Sequence, residues 1–195
     1  MQIAFEHDNT VLIEKFIPGR EFRIFIINDE VVGILHRVPA NVTGDGVLNI
    51  GQLIDRKNED PLRGKGYRTP LEKIRKGREE EMFLKQQGMD FNTVPKEGEV
   101  VYLRENSNIS TGGDSIDFTD DIDDSYKAIA VEAAKALNVK ITGLDMMIQD
   151  IHAPATPDNY AIIEMNFNPA IHIHCYPFKG KNRHLNHKMI RALGF

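Results

Sequence analysis

The sequence predicts an α+β fold, a mostly antiparallel sheet packed with helices, on three observations. Two β-branched and aromatic runs, FRIFII and VVGILH, flank the turn residues Asn28, Asp29 and Glu30, which is a hairpin signature. Two more strand-like runs, 139–149 and 160–167, are separated only by the Pro-containing loop HAPATPDN. Over residues 121–137, Ile122, Tyr126, Ile129, Ala130, Ala133, Ala134 and Leu137 recur at three- and four-residue steps, the period of a helix with one apolar face.

The remaining elements follow in order. The hairpin is expected to span 11–37, and both its faces are partly apolar, so its strands should be covered. Residues 41–70 mix Gly44, Gly46, Gly51, Gly64, Gly66, Pro61 and Pro70 with charges, a composition for loops around one short helix near 48–57. Within it PLRGKGYRT, 61–69, reads as surface. Residues 75–87 are rich in Glu, Lys, Arg and Leu, and Gly88 stands where that helix stops. A strand is expected at 99–103 and a last helix at 185–193. Asp120, Asp121, Asp123 and Asp124 suit the start of the 121–137 helix, where the helix dipole is positive. The chain shows no internal repeat, no low-complexity tract and no interdomain linker.

Composition limits the function classes. With 195 residues, 41% of them hydrophobic, the chain can bury one domain or a large part of a bigger one. Its 29 acids and 24 bases are mixed along the chain for a net charge of -5, so no basic stripe exists for a phosphate backbone and nucleic acid is not an expected partner. No run approaches the ~18 to 20 apolar residues of a membrane span. The start, MQIAFEHDNT, lacks a basic region followed by an apolar one, so the expectation is no membrane, no export and a cytoplasmic location. The single Cys175 cannot form an internal disulfide, which fits a reducing compartment.

Three segments carry candidate chemistry. In YAIIEMNFN the period of two puts Ile162, Glu164 and Asn166 on one strand face, and KITGLDMMI carries Asp145 in apolar surroundings where a charge needs a partner. If the two strands pair, Asp145 falls near Glu164, and two carboxylates with an amide oxygen make an oxygen-rich site for Mg2+. The same pattern reads equally as core salt bridges from Asp145 and Glu164 to Arg or Lys. LRENSNISTGGDS offers Arg104, Asn106 and Asn108 at alternate positions, then Ser110, Thr111, Gly112 and Gly113, which suits an anion and also suits an ordinary polar turn. In EKFIPGREFR, Glu21 and Arg23 share a face at one end of an apolar strand, and the extended stretch Glu14, Lys15, Phe16 and Ile17 can meet a planar base with Phe16 and Ile17 covering it, or form a plain strand and turn. His172, His174 and Cys175 in AIHIHCYP suit structural or substrate contacts better than zinc, which wants a closed ligand set at motif spacing.

Four segments in this order, EKFIPGREFR, LRENSNISTGG, GLDMMI and EMNFNP, resemble the ATP-grasp superfamily. Closer in, VPANVTGDG, LIDRKNEDPLRGKGYRTPLEKI, VYLRENSNISTGGDSID and EMNFNPAIHIHCYPFKGKNR resemble the ATP-grasp module of bifunctional glutathione synthetases, with cyanophycin synthetases as the nearest alternative through the GDG and STGG segments. The resemblance covers nearly the whole chain. It implies a carboxyl-terminal ATP-grasp half over 1–195, with the amino-terminal subdomain absent and the remainder of a larger polypeptide as partner, and it leaves room for a homodimer. It implies ATP with Mg2+ or Mn2+, and ligation of γ-glutamylcysteine to glycine through an acyl phosphate. By the same resemblance Glu14 to Ile17 form the adenine hinge, Glu21 binds the ribose, and Asp145, Glu164 and Asn166 hold the metal, while Arg104 and Asn106 contact phosphate or carboxylate. Some ATP-grasp ligases have an Arg two positions before the metal Asp; Gly143 stands there in this chain, which leaves Arg23 and Arg104 as the expected sources of catalytic charge.

Overall fold

The structure is a computed structural model that describes residues 5, 6, 8–11, 13 and 15–195. Its centre is a five-stranded sheet in the order β7-β2-β1-β8-β9, all neighbours antiparallel. β1 (Arg20–Ile27) and β2 (Glu30–Val38) form the expected hairpin. Asn28 and Asp29 both take positive φ, 47° and 65°, the geometry of a two-residue turn whose twist matches that of the strands. The hairpin is shorter than the sequence suggested: the described residues before Gly19 are not strand, and Pro18 cannot donate to a ladder.

β8 (Ile141–Ile148) lies on the other side of β1, and β9 (Tyr160–Asn166) follows as an edge strand. β7 (Asp114–Asp117) is the opposite edge and was not expected, because its four residues DSID carry no strand-like run. The helix α3 (Asp124–Ala136), capped by Asp123 accepting from the Ser125 N–H at 2.9 Å, covers one sheet face. There Tyr126, Ala130 and Ala134 pack with Phe22, Ile24, Ile26, Ile34, Leu144, Met146 and Ile148. The other end of the opposite face is closed by the single helical turn α4 (His172–Cys175) and by α5 (Leu185–Ala192), through Phe25, Ile27, Val32, Cys175 and Leu185.

A second layer stands beside the sheet. It holds β3 (Asn41–Thr43) paired with β6 (Val100–Tyr102), α1 (Ile50–Lys57) and α2 (Arg78–Gln86) around Ile50, Leu53, Ile54, Leu84, Val101 and Leu103. α1 starts on a reciprocal capping box, Asn49 Oδ1 accepting from the Gln52 N–H at 2.8 Å and Gln52 Oε1 from the Asn49 N–H at 3.0 Å. Between the helices, the two-residue strands β4 (Arg63–Gly64) and β5 (Leu71–Glu72) pair in parallel. The stretch expected at the surface contains a correction here, since Arg63 is only 3% exposed.

Candidate functional site

The site is built from the sheet face that α3 does not cover. Along β1 the period of two puts Glu21 and Arg23 on that face, and antiparallel register places Asp145 of β8 directly opposite Arg23. On the far side of β8, Glu164 of β9 is directly opposite Asp145 and Asn166 is opposite Gly143. Expected proximity of Asp145, Glu164 and Asn166 on adjacent antiparallel strands is therefore what the register produces, and Asn166 Nδ2 donates to Glu164 Oε1 at 2.9 Å. The register slips by one residue after Asp145, pairing Met146 with Ile162. This bulge separates Ile162 from the face shared by Glu164 and Asn166, against the simple alternation of the sequence.

Asp145 is 2% exposed, and a carboxylate there must be neutralised. Arg23 does so through Nε on Oδ1 and Nη2 on Oδ2, the latter at 2.8 Å, and Arg37 Nη2 reaches the same Oδ2 at 2.9 Å. Arg37 also pairs with Glu21, which accepts a further hydrogen bond from the Ser107 hydroxyl. The two readings left open by the sequence thus divide between the residues: Asp145 is in a core ion cluster, whereas Glu164 is exposed and bonded to Asn166. Among the described residues no three His, Cys, Asp or Glu side chains gather as a metal cluster. The set fits a hard divalent cation when the Asn166 amide oxygen counts as the third ligand, because such ions take a few protein oxygens and complete their shell with water and phosphate.

Gly143 explains how Arg23 fits. A Cβ at that position would meet Pro169 Cβ at 2.7 Å and Arg23 Cδ at 3.0 Å. The Arg23 side chain occupies the space that a residue at 143 would otherwise fill.

Glu21, Arg37, Arg104, Asn106 and Ser107 line a cleft of about 630 Å3, within the size range of small-molecule sites. Its apolar wall includes Val38, Pro39, Phe83, Tyr102 and Met147. Arg104 lines the cleft but its guanidinium is engaged by α2: Nε donates to Glu80 Oε1 at 2.6 Å, Nη2 lies 2.5 Å from the same oxygen, and Nη1 pairs with Glu79. Glu80 is itself fixed, since its Oε2 caps α2 by accepting from the Gly77 N–H at 2.9 Å. Asn106 is exposed and closes its own loop, its Oδ1 accepting from the Thr111 hydroxyl at 3.0 Å. His36 also faces the cleft, with its ring Nδ1 2.9 Å from the Glu21 carbonyl oxygen. Burial, helped by the nearby Arg20 charge, lowers its pKa to about 4.

The adenine-hinge expectation fares differently. Glu14 lies outside the described residues. Lys15 and Phe16 are exposed, Phe16 at 85%, Ile17 is half-buried, and none of the three lines the cleft, which begins at Gly19.

Sequence reasoning missed Arg37 and a buried ionic network behind the loop 104–113. Asp114 receives Lys57 Nζ at 2.7 Å, Asn41 Nδ2 at 2.9 Å and the Arg63 guanidinium, while Arg63 Nη1 donates to the carbonyl oxygens of Gly112 at 3.0 Å and Glu72 at 2.8 Å. Lys57 and Arg63 also lie over the Phe178 ring, at 5.2 and 5.5 Å from its centroid. The signal for Arg37 was present, a charge inside the apolar run VVGILHRV, but its partners are on other strands.

No family model matches the chain. The glutathione biosynthesis bifunctional protein of Desulfotalea psychrophila is 66% identical over 192 residues, 98% of this chain and 25% of the relative. The protein of the same name from Clostridium perfringens is 58% identical over 193 residues, 99% of this chain and 25% of the relative. The crystal structure of a bifunctional glutathione synthetase from Pasteurella multocida superposes with a TM-score of 0.83 at 46% identity, over 92% of this chain and 25% of that one. Over nearly its whole length the chain is related to one quarter of the bifunctional glutathione synthetases. It spans about a quarter of the length of the curated relatives it matches. The sheet with its flanking helices is thus the fold of one quarter of a bifunctional glutathione synthetase, and the Asp145 row and the adjoining cleft lie within that quarter. No helix among the described residues is long and apolar enough to cross a membrane.

Proposed function

We propose that the longer protein containing this chain is an ATP-dependent carboxylate–amine ligase that forms glutathione from γ-glutamylcysteine and glycine through an acyl phosphate. The observation that carries this reading is the row Arg23, Asp145 and Glu164 across three adjacent strands, beside a cleft of nucleotide size. In this reading Glu21 and Asn106 bind the nucleotide from the cleft wall. Lys15, Phe16 and Ile17 reach it only if the segment before β1 folds toward the cleft. A divalent cation held by Asp145, Glu164 and Asn166 supplies positive charge to the nucleotide phosphates when bound.

The chain's own residues then serve two ends. Arg23, packed over Gly143, would offset negative charge that develops as the phosphoryl group moves to the donor carboxylate, and Arg104, which lines the cleft while held by Glu79 and Glu80, is the second source of positive charge in this reading. The walls hold the acceptor amine in line with the acyl carbon, so no protein nucleophile is needed. ADP release by the full-length protein tests this. Turnover with γ-glutamylcysteine and glycine supports the reading, whereas turnover only with an aspartate polymer and arginine moves the chain to cyanophycin-type synthesis.

A further inference from the structure

We propose that Arg63, which does not line the cleft, is a positioning residue for the nucleotide: it holds the loop 106–113 from behind and so sets Asn106 and Ser107 at the cleft wall. The inference rests on the ligase reading for what the loop binds.

Charge balance does not account for Arg63. Asp114 is 4% exposed and already receives Lys57 Nζ at 2.7 Å and Asn41 Nδ2 at 2.9 Å, so it has a counter-charge and a further donor without Arg63. A second cation, with none of its side chain exposed, is an unfavourable addition to a carboxylate that is already neutralised. Asp60, whose charge also acts on both cations, is engaged elsewhere, accepting from the Leu62 N–H at 2.8 Å. What Arg63 adds is a hold on backbone: Nη1 donates to the Glu72 carbonyl oxygen at 2.8 Å and to the Gly112 carbonyl oxygen at 3.0 Å. The Phe178 ring, its centroid 5.5 Å from the guanidinium carbon, keeps that fork in place.

The hold reaches the cleft in short steps. Gly112 takes φ +97°, and a Cβ there would meet Ile74 Cα at 2.8 Å, so the loop is seated closely on the residues that follow β5. Beside Gly112, the Thr111 hydroxyl donates to Asn106 Oδ1 at 3.0 Å, and the Gly113 N–H donates to the Asn108 carbonyl oxygen at 3.2 Å. Ser107, between those two asparagines, donates to Glu21 on β1. The same Nη1 ties in a second loop, because the Glu72 carboxylate accepts from the consecutive Gly66 and Tyr67 N–H groups at 3.2 and 2.6 Å. A lysine at 63 keeps the charge beside Asp114, but its single ammonium cannot serve the carboxylate and both carbonyls as the planar fork does.

The test uses the full-length protein, first without substrates. Amide hydrogen exchange in Arg63→Lys should quicken about tenfold, the loss of one hydrogen bond, in the peptides covering 106–113 and 65–69, with β1 and α3 within about twofold of wild type. Mg-ATP, titrated next, should bind Arg63→Lys about tenfold more weakly. Lys57→Met removes a charge from Asp114 but no contact to either loop carbonyl. It should lower the melting temperature and leave loop exchange and Mg-ATP affinity within about twofold. If Arg63→Lys does not fold, Phe178→Leu, which removes the ring beneath the guanidinium and keeps every ion pair, should quicken the same two peptides. Unchanged exchange over 106–113, or the same pattern from Lys57→Met, would overturn the proposal, since Arg63 would then serve stability alone. A looser loop with unchanged Mg-ATP affinity would overturn it as well, because the nucleotide would not depend on where the loop sits. A protein that makes no glutathione yet shows the looser loop and the weaker Mg-ATP binding would sink the substrate assignment and leave the role of Arg63 standing.

Discussion

Asp145 sits 2% exposed between two guanidiniums, so its charge is a structural requirement as well as a candidate ligand. Asp145→Asn leaves Arg23 and Arg37 under-neutralised in a dry place, and breaking one partner out of such a cluster costs about 3 kcal/mol or more. Urea unfolding should show that loss, and Arg23→Met in the same background should recover part of it. Equal stability of wild type and Asp145→Asn would mean that water reaches the cluster. His174 is the opposite case, a buried ring with neither nitrogen hydrogen-bonded, edge-on to Phe25 at 5.4 Å. Burial, aided by the Arg23 charge, lowers its pKa to about 3 from an ordinary 6.5, so the unfolded chain binds a proton more readily than the folded one. Stability from this group is therefore full above pH 6.5 and falls as pH drops toward 3, by about 2 kcal/mol between pH 7 and 5. His174→Leu should flatten that part of the pH–stability curve; a curve of unchanged slope would show that His174 does not drive it.

At the scale of elements, one carboxylate joins a helix start to the cleft. Glu80 caps α2 at the Gly77 N–H and holds Arg104 with its other oxygen. Glu80→Ala removes both interactions and should cost about 2 to 3 kcal/mol, whereas Glu80→Gln keeps a cap acceptor and should cost less. Thermal melts of the two variants decide it, and equal losses would show that the cap contributes nothing. Elements whose causes are local were legible in the sequence: the Asn28-Asp29 turn, the period of α3, Gly88 ending α2, and the β8–β9 pair that brings Asp145 to Glu164. β7 was not, because its pairing with β2 is what makes DSID a strand. The Asp114 network was illegible for the same reason, since Lys57 and Arg63 are brought to Asp114 only by the packing of distant segments. The bulge after Asp145 escaped a strict two-residue period, and the apolar look of Phe16 and Ile17 suggested a cover that the described segment does not form over the cleft.

For the molecule as a whole, the question is how much of the proposed ligation this quarter can perform. Ligation through an acyl phosphate requires that the triphosphate be neutralised along its length and that water be kept from the intermediate. The positive charges this chain brings to the cleft are Arg20, Arg37 and Arg104, and two of them are already engaged, Arg37 by Glu21 and Asp145 and Arg104 by Glu79 and Glu80. Ile163, next to Glu164 in β9, and Phe167, next to Asn166, also stand in the open, at 55% and 79%. Relatives four times as long have further chain with which to supply both cover and charge. We expect these 195 residues, purified alone, to bind Mg-ATP weakly and to release no ADP that depends on γ-glutamylcysteine and glycine. Calorimetric titration with Mg-ATP, run beside a coupled ADP assay, measures both quantities on one preparation. Substrate-dependent turnover near that of the full-length protein would show that the residues placed here around Asp145 and the cleft suffice for the chemistry, and that the rest of the longer chain serves another step.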